Sequence, residues 1–124
     1  MLRLLVVDDE IDICDFVKSF FKERNFEVTV AFDGKDALDK IHEKKPHIVL
    51  LDMKMPVMDG METLKHIRKI DKGIKVIVVT ALADSEKAEE SKQYGAVEYI
   101  TKPLLLEQLE RTVLTIAEQI KMSG

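Results

Sequence analysis

Five short segments rich in apolar and β-branched residues alternate with five segments of helical periodicity along the 124-residue chain. Strand-then-helix repetition requires a parallel sheet that is covered by helices on both faces and joined by right-handed crossovers. The predicted strands are residues 2–8, 26–31, 48–52, 74–80 and 96–101. The first, third and fourth are predominantly apolar and should lie inside the sheet, whereas polar residues interrupt the other two, which we place at the edges.

This arrangement of inner and edge strands predicts an α/β, flavodoxin-like (βα)5 fold, a doubly wound five-stranded sheet in the order 2-1-3-4-5. The first helix carries Ile13, Phe16, Val17 and Phe20 at helical spacing, which predicts a core-facing stripe. The helix predicted over residues 84–94 contains a single aliphatic residue. We therefore expect it to be the least firmly held helix of the domain.

Composition limits the kind of protein this can be. The length suits one domain, residues 1–124 with a core over about 2–121, and the formal net charge of −4 argues against direct nucleic-acid binding. One cysteine, Cys14, cannot form an internal disulfide. With no signal-peptide pattern and no apolar run long enough to span a bilayer, the sequence fits a reducing cytoplasm and no membrane attachment.

The third predicted strand carries the first chemical signal. Four uninterrupted apolar residues, 48–51, run straight into Asp52, and turn signals follow at Pro56 and Gly60. A short apolar run of this kind is typical of a fully buried parallel strand. Asp52 therefore lies where the strand leaves the sheet, at the edge where open α/β sheets bind their ligands.

The first strand delivers two more carboxylates to the same edge. Asp8 and Asp9 end that strand, which neighbours the third in the predicted order, so both converge with Asp52 in one crevice. Three carboxylates this close repel one another, and without a cation at least one should have a raised pKa. A hard divalent ion such as Mg²⁺, or Mn²⁺, resolves the conflict because it prefers oxygen ligands.

The fourth and fifth strands add a hydroxyl, Thr80, and an ammonium, Lys102. An anion held between a metal, a hydroxyl and a lysine is best explained as a phosphoryl group. Because no serine, cysteine or histidine stands at these strand ends, the candidate nucleophile is Asp52 itself, which would form an aspartyl phosphate.

The strand ends thus carry Val7-Asp8-Asp9-Glu10, Asp52 within LLDMKMPVMDG, Thr80-Ala81 and Lys102-Pro103. Together these motifs resemble the receiver domain of two-component response regulators, at family-like spacings and over essentially the whole chain. The resemblance implies a signalling switch that catalyses only its own phosphorylation and dephosphorylation.

The resemblance also implies roles for single residues. Asp52 is similar to the phosphoacceptor, Asp9 to a direct Mg²⁺ ligand, and Asp8 to a ligand that acts through water. Lys54 would offer its backbone carbonyl to the metal. These assignments give the candidate metal site as two strand-end carboxylates, the phosphoacceptor and one carbonyl.

In the same family, Thr80 would bond one phosphoryl oxygen and Lys102 would pair with another. Tyr99 matches the aromatic residue that turns inward when Thr80 moves, and the Lys102–Pro103 peptide bond is expected to be cis. Two variable positions tune loss of the phosphoryl group, and here they hold Lys54 and Leu82. A long cation beside the acyl phosphate and no polar group at residue 82 predict slow hydrolysis.

The implied donor is a sensor histidine kinase or a histidine phosphotransferase. The implied readout surface comprises helix 84–94, strand 97–101 and helix 105–120. We favour a stand-alone receiver, with the N-terminal receiver of a DNA-binding regulator as the alternative. Glu98, Glu107 and Arg111 fit part of a dimer scheme used by such regulators, but Glu90 and Glu118 stand where basic residues would be wanted.

Two functions of other classes compete. A haloacid-dehalogenase-type phosphohydrolase also combines a nucleophilic aspartate, a threonine, a lysine and Mg²⁺, but its motif requires an acid where Lys54 stands. The second is an interaction domain that is no longer phosphorylated, but the presence of all three carboxylates, Asp8, Asp9 and Asp52, argues against it. A flavodoxin-like FMN binder is weaker, because no phosphate-binding loop follows the first strand.

Overall fold

The computed structural model describes residues 1–55 and 57–123; the turn signal at Pro56 and the terminal Gly124 lie outside the described residues. The strands are β1 (Leu2–Val7), β2 (Phe26–Ala31), β3 (Ile48–Asp52), β4 (Lys75–Thr80) and β5 (Ala96–Thr101). The helices are α1 (Ile11–Lys22), α2 (Gly34–Glu43), α3 (Gly60–Ile70), α4 (Ser85–Gln93) and α5 (Leu106–Ser123). All strand pairs are parallel and the order is β2-β1-β3-β4-β5, which confirms the predicted fold.

The sheet separates two apolar layers because neighbouring residues of each strand point to opposite faces. Along β1, Leu4 and Val6 join the layer that contains Val17 of α1 and Val113 of α5. Leu5 and Val7 join the other layer, which includes buried residues of α2 and α3. The inner strands therefore contain continuous runs of buried apolar residues. The polar residues at their carboxyl ends lie at the edge of the sheet.

The core-facing stripe of α1 differs from the prediction. Cys14, Val17 and Phe21 are the buried residues, whereas Phe16 is 53% exposed. Ile13 and Phe20 pack only partly against the core. The adjacent Phe20 and Phe21 fit two helical stripes one residue apart, and packing selects Phe21, whose ring meets Phe26 edge-on at 5.5 Å between centroids.

Helix α4 is shorter than predicted and weakly buried. A single 3-10 turn, Leu82–Asp84, precedes it, and its buried residues are Ala88 and Ser91. Gly95 then turns the chain into β5 with a φ of 96°, a conformation that favours glycine. The expectation that this helix contributes little apolar surface is confirmed. Among the described residues, no helix is both long and apolar enough to cross a membrane.

Candidate functional site

Three carboxylates meet at the carboxyl edge of β1 and β3. Val7 pairs with Leu51, so the residues that follow them, Asp8 and Asp52, emerge side by side. One carboxylate oxygen from each of Asp8, Asp9 and Asp52 lies within 4.8 Å of the others. Asp8 and Asp52 are only 5% and 3% exposed, whereas Asp9 is exposed. The cluster is therefore buried on two sides and open to solvent on the third.

Backbone amides hold the two buried carboxylates in place. The amide of Glu10 donates to Asp8 Oδ1 at 2.9 Å, and that of Lys54 donates to Asp52 Oδ1 at 3.2 Å. At the start of α3, Gly60 donates to the Met53 carbonyl at 3.0 Å. A Cβ on Gly60 would lie 2.5 Å from the Asp52 carbonyl oxygen, so the helix approaches the strand end this closely only with glycine.

The electrostatics of the cluster agree with the sequence-based expectation of a raised pKa. Burial is the largest cause and raises the pKa of Asp8 to about 6. The negative charge of Asp52 adds to the rise, while the Glu10 amide and the Lys102 ammonium oppose it. Mutual repulsion is thus the smaller cause of the shift. Asp8 is therefore costly to ionise. Together with Asp9 and Asp52 it forms a set of hard oxygen donors that fits a divalent cation such as Mg²⁺.

Lys102 supplies the positive group of the site. Its Nζ lies 3.3 Å from Asp52 Oδ1 and 3.4 Å from Oδ2. Its backbone amide donates to the Thr80 carbonyl at 2.7 Å, which joins the ends of β4 and β5, and the Lys102–Pro103 peptide bond is cis. The structure therefore brings the predicted lysine directly onto the predicted phosphoacceptor.

Thr80 is 1% exposed at the end of β4, and its hydroxyl donates only a long bond of 3.4 Å to the adjacent Ala81 carbonyl. Such a hydroxyl loses little when it turns toward a better acceptor. Tyr99 lies farther along the same side of the sheet, partly buried against α4, and its hydroxyl donates to Glu89 Oε1 at 3.0 Å. That bond raises the pKa of Tyr99.

The two predicted tuning positions lie on the loops that follow β3 and β4. Lys54 is exposed, and Leu82 is 73% exposed on the 3-10 turn. Each stands two residues after a strand-end group of the site, Lys54 after Asp52 and Leu82 after Thr80.

Other contacts of the site were not predicted from the sequence. The Cys14 thiol donates to the Asp8 carbonyl at 3.3 Å from beneath the cluster, and burial raises its pKa to about 11. The contacts of the Cys14 thiol, the Glu10 amide and the Glu89 carboxylate all depend on how α1 and α4 are oriented. No short sequence motif encodes these orientations. For Glu89 alone, the sequence partly indicated its contact with Tyr99, because α4 directly precedes β5 and neighbours it in a doubly wound fold.

The chain is thus a flavodoxin-like domain with an acidic pocket at the carboxyl edge of its sheet. Residues 4–114 match the family described as the response regulator receiver domain. The chain is 36% identical over 111 residues to sporulation initiation phosphotransferase F of Bacillus subtilis, covering 90% of each chain. It is also 36% identical over 112 residues to the transcriptional regulatory protein ZraR of Salmonella typhimurium, covering 90% of this chain and 25% of that protein.

Solved structures agree. A response regulator receiver domain protein from Clostridium thermocellum superposes with a TM-score of 0.92 at 29% identity, over 100% of both chains. The chain belongs to the response regulator receiver domain family. Receiver domains are switches of two-component signalling rather than conventional enzymes, bind Mg²⁺ at an acidic pocket, and partner with histidine kinases or phosphotransferases.

Proposed function

We propose that Asp52 accepts a phosphoryl group from the phosphohistidine of a kinase or phosphotransferase. An Asp52 carboxylate oxygen forms a bond to phosphorus as the phosphorus–nitrogen bond breaks, and the donor imidazole keeps the electron pair and takes up a proton. One observation carries this proposal. Asp52 is the carboxylate that contacts both the Lys102 ammonium and a backbone amide while lying within 4.8 Å of two other carboxylates.

The donor set supports a divalent cation beside Asp52. Asp9 would bind Mg²⁺ or Mn²⁺ directly, Asp8 would act through water, and the Lys54 carbonyl and Asp52 would complete the protein ligands. When bound, such an ion neutralises negative charge on the phosphoryl oxygens. Lys102 supplies a second positive charge, with its Nζ 3.3 Å from Asp52 Oδ1.

The switch would follow from new bonds to the phosphoryl oxygens. Thr80 and Lys102 donate to two of them, and the weak bond of Thr80 to Ala81 is given up. Moving a population from about 1% to about 99% active requires roughly 5.5 kcal/mol of differential stabilisation, which charge-assisted hydrogen bonds can supply. Movement of Thr80 leaves space for Tyr99, whose bond to Glu89 connects the change to α4.

Labelling with acetyl phosphate tests the function. The protein should gain the mass of one phosphoryl group in the presence of Mg²⁺ and none in EDTA. Asp52→Asn, which keeps the shape of the side chain, should abolish the gain, whereas the exposed Asp39→Asn should leave it intact. Labelling of Asp52→Asn to the wild-type extent would overturn the assignment, and sustained hydrolysis of a phosphomonoester would instead favour a phosphohydrolase.

We further propose that the chain works as a stand-alone receiver in a phosphorelay. Support comes from its coverage of 90% of sporulation initiation phosphotransferase F. The chain spans only a quarter of ZraR, so a receiver joined to a DNA-binding output domain is the second candidate. The readout surface would be helix 84–94, strand 97–101 and helix 105–120.

The solution mass, measured by light scattering in Mg²⁺ before and after addition of beryllofluoride, distinguishes these candidates, because beryllofluoride mimics the phosphoryl group on Asp52. A monomer in both states supports a stand-alone relay receiver, and a dimer formed only on activation supports the receiver of a DNA-binding regulator.

We also propose that residues 1–124 form one receiver domain with a core over 2–121, which the family match to residues 4–114 supports. A cytoplasmic location stays a prediction.

A further inference from the structure

A second candidate site lies at the opposite edge of the sheet from Asp52. A cavity of about 660 Å³ opens where α3 and α4 end and where β4 and β5 begin. We call it the basal cavity and define it by Lys65, Arg68, Lys69, Lys72, Lys75 and Tyr94. Its volume falls within the range of small-molecule sites, which is about 300–1,000 Å³.

The charge of the basal cavity is opposite to that of the whole chain. Five cationic side chains line it and no carboxylate does, although the formal net charge of the protein is −4. In the part of the chain that the structure describes, none of the five forms an ion pair. Asp71, in the adjoining turn, is already bound by Lys45 Nζ at 2.5 Å and by the Gly73 amide at 2.6 Å. Among the described residues, the positive charge of the cavity is therefore not neutralised by an ion pair.

Arg68 is the most constrained of these cations. Its two terminal nitrogens donate to the carbonyls of Lys72, at 2.9 Å, and Ile74. Its Nε is buried and has no hydrogen-bond partner among the described residues. A Cβ on Gly95 would lie 2.6 Å from Arg68 Cδ, so glycine at that turn makes room for the side chain. A partly buried cation that is bound only by carbonyls is stabilised by an anion placed nearby.

The rest of the cavity surface suits an aromatic group. Tyr94 is 39% exposed, and the Lys65 ammonium lies 4.5 Å from the centroid of its ring. Val97, on the same wall, is 40% exposed, and Ile74 lies buried beneath it. Aromatic side chains beside basic groups bind nucleotides by stacking on the base while the cations contact the phosphates.

We propose that the basal cavity binds a nucleoside polyphosphate. The phosphates contact Lys69, Lys72 and the Arg68 guanidinium, and the base packs against Tyr94. Inorganic phosphate alone would use the charge but not the aromatic wall, so the two parts of the ligand make separate contributions. This site shares no residue with the acidic pocket.

Titration of the isotope-labelled protein, followed by amide NMR shifts, tests the proposal. The probes are ADP, pyrophosphate and adenosine, each added in EDTA so that no metal links a phosphate to the acidic pocket. ADP should bind about fivefold or more tightly than pyrophosphate, and adenosine should bind more weakly than either. The shifted amides should cluster around the end of α3 and the start of β5.

Two charge-matched double variants serve as test and control. Lys69→Gln/Lys72→Gln should weaken ADP binding about tenfold, whereas Lys22→Gln/Lys35→Gln, on exposed positions of α1 and α2, should change it less than about twofold. Tyr94→Leu should remove the advantage of ADP over pyrophosphate while leaving pyrophosphate binding intact. Equal losses in the two double variants would show diffuse attraction, and absence of binding at millimolar ADP would equally overturn the proposal.

Discussion

Asp8 is 5% exposed, and burial raises its pKa to about 6 from an ordinary value of 3.8. The folded state therefore holds this proton more tightly than the unfolded chain does. The resulting stabilisation is fully present below about pH 4 and is lost as the pH rises through about 6. At neutral pH the metal-free protein carries the cost of an ionised, buried carboxylate.

This cost predicts the behaviour of Asp8→Asn. In EDTA, the free energy of unfolding of the wild type should fall relative to the variant between pH 4 and 7, by on the order of 2–3 kcal/mol. Urea unfolding at several pH values measures the difference, with the exposed Asp39→Asn as a control that should follow the wild type. A variant that shows the same pH dependence as the wild type would refute this account of Asp8.

Lys54 and Leu82 should lengthen the lifetime of the phosphorylated state. Both are exposed after strands that end at the carboxyl edge. Lys54 would place a long cation beside the acyl phosphate, and Leu82 has no polar group to orient an attacking water. Lys54→Ala and Leu82→Glu should each speed loss of the phosphoryl group, by about three- to tenfold, or roughly 1 kcal/mol of barrier. The decay of labelled protein gives the rates, and Lys35→Ala on α2 is the matched control. Unchanged decay in both variants would remove the tuning role.

The sequence alone located the residues that the strand ends carry. Asp8, Asp9 and Asp52 converge because parallel strands end at one edge, and Lys102 reaches Asp52 for the same reason. The Cys14 thiol under Asp8 could not be found this way. Its position depends on the rotation of α1, which is set by packing rather than by a motif.

Among the elements, α1 shows how packing decides between two readings of one pattern. Phe21 is fully buried and Phe16 is 53% exposed, although periodicity favoured Phe16. Helical periodicity predicts that an apolar stripe exists, but where two aromatic residues are adjacent it does not determine which of them faces the core.

That rotation predicts unequal effects of two similar substitutions. Phe21→Ala should destabilise the fold by about 3–5 kcal/mol through the cavity it leaves, and Phe16→Ala should change stability by less than about 0.5 kcal/mol. Urea denaturation measures both. If Phe21→Ala does not fold, Phe21→Leu provides a smaller loss for the same comparison. Equal effects at the two positions would contradict the observed orientation of α1.

Helix α4 should be the first helix to open. It buries Ala88 and Ser91, whereas α5 buries Leu109, Val113 and others. Amide hydrogens of α4 should therefore exchange at least about tenfold faster than those of central α5, a difference of about 1.4 kcal/mol in opening free energy. Hydrogen exchange followed by NMR reports both helices in one sample. Equal protection would show that α4 is not the movable element.

For the whole molecule, the alternation of strands and helices predicted the topology because few parallel arrangements satisfy it. The basal cavity was not predicted. Its cations come from α3, the following turn and the start of β4, while its aromatic wall comes from Tyr94, directly after α4, so only the tertiary arrangement brings them together. The acidic pocket and the basal cavity thus differ in how directly the sequence encodes them.

Of the three neighbouring carboxylates, we propose that Asp52 receives the phosphoryl group. The most direct test is to label the protein with acetyl phosphate and Mg²⁺, reduce the acyl phosphate with borohydride, and locate the reduced residue by peptide mass spectrometry. We expect homoserine at position 52 because, in the part of the chain that the structure describes, Lys102 forms its ion pair with Asp52. Homoserine at position 8 or 9, or none after labelling, would contradict it.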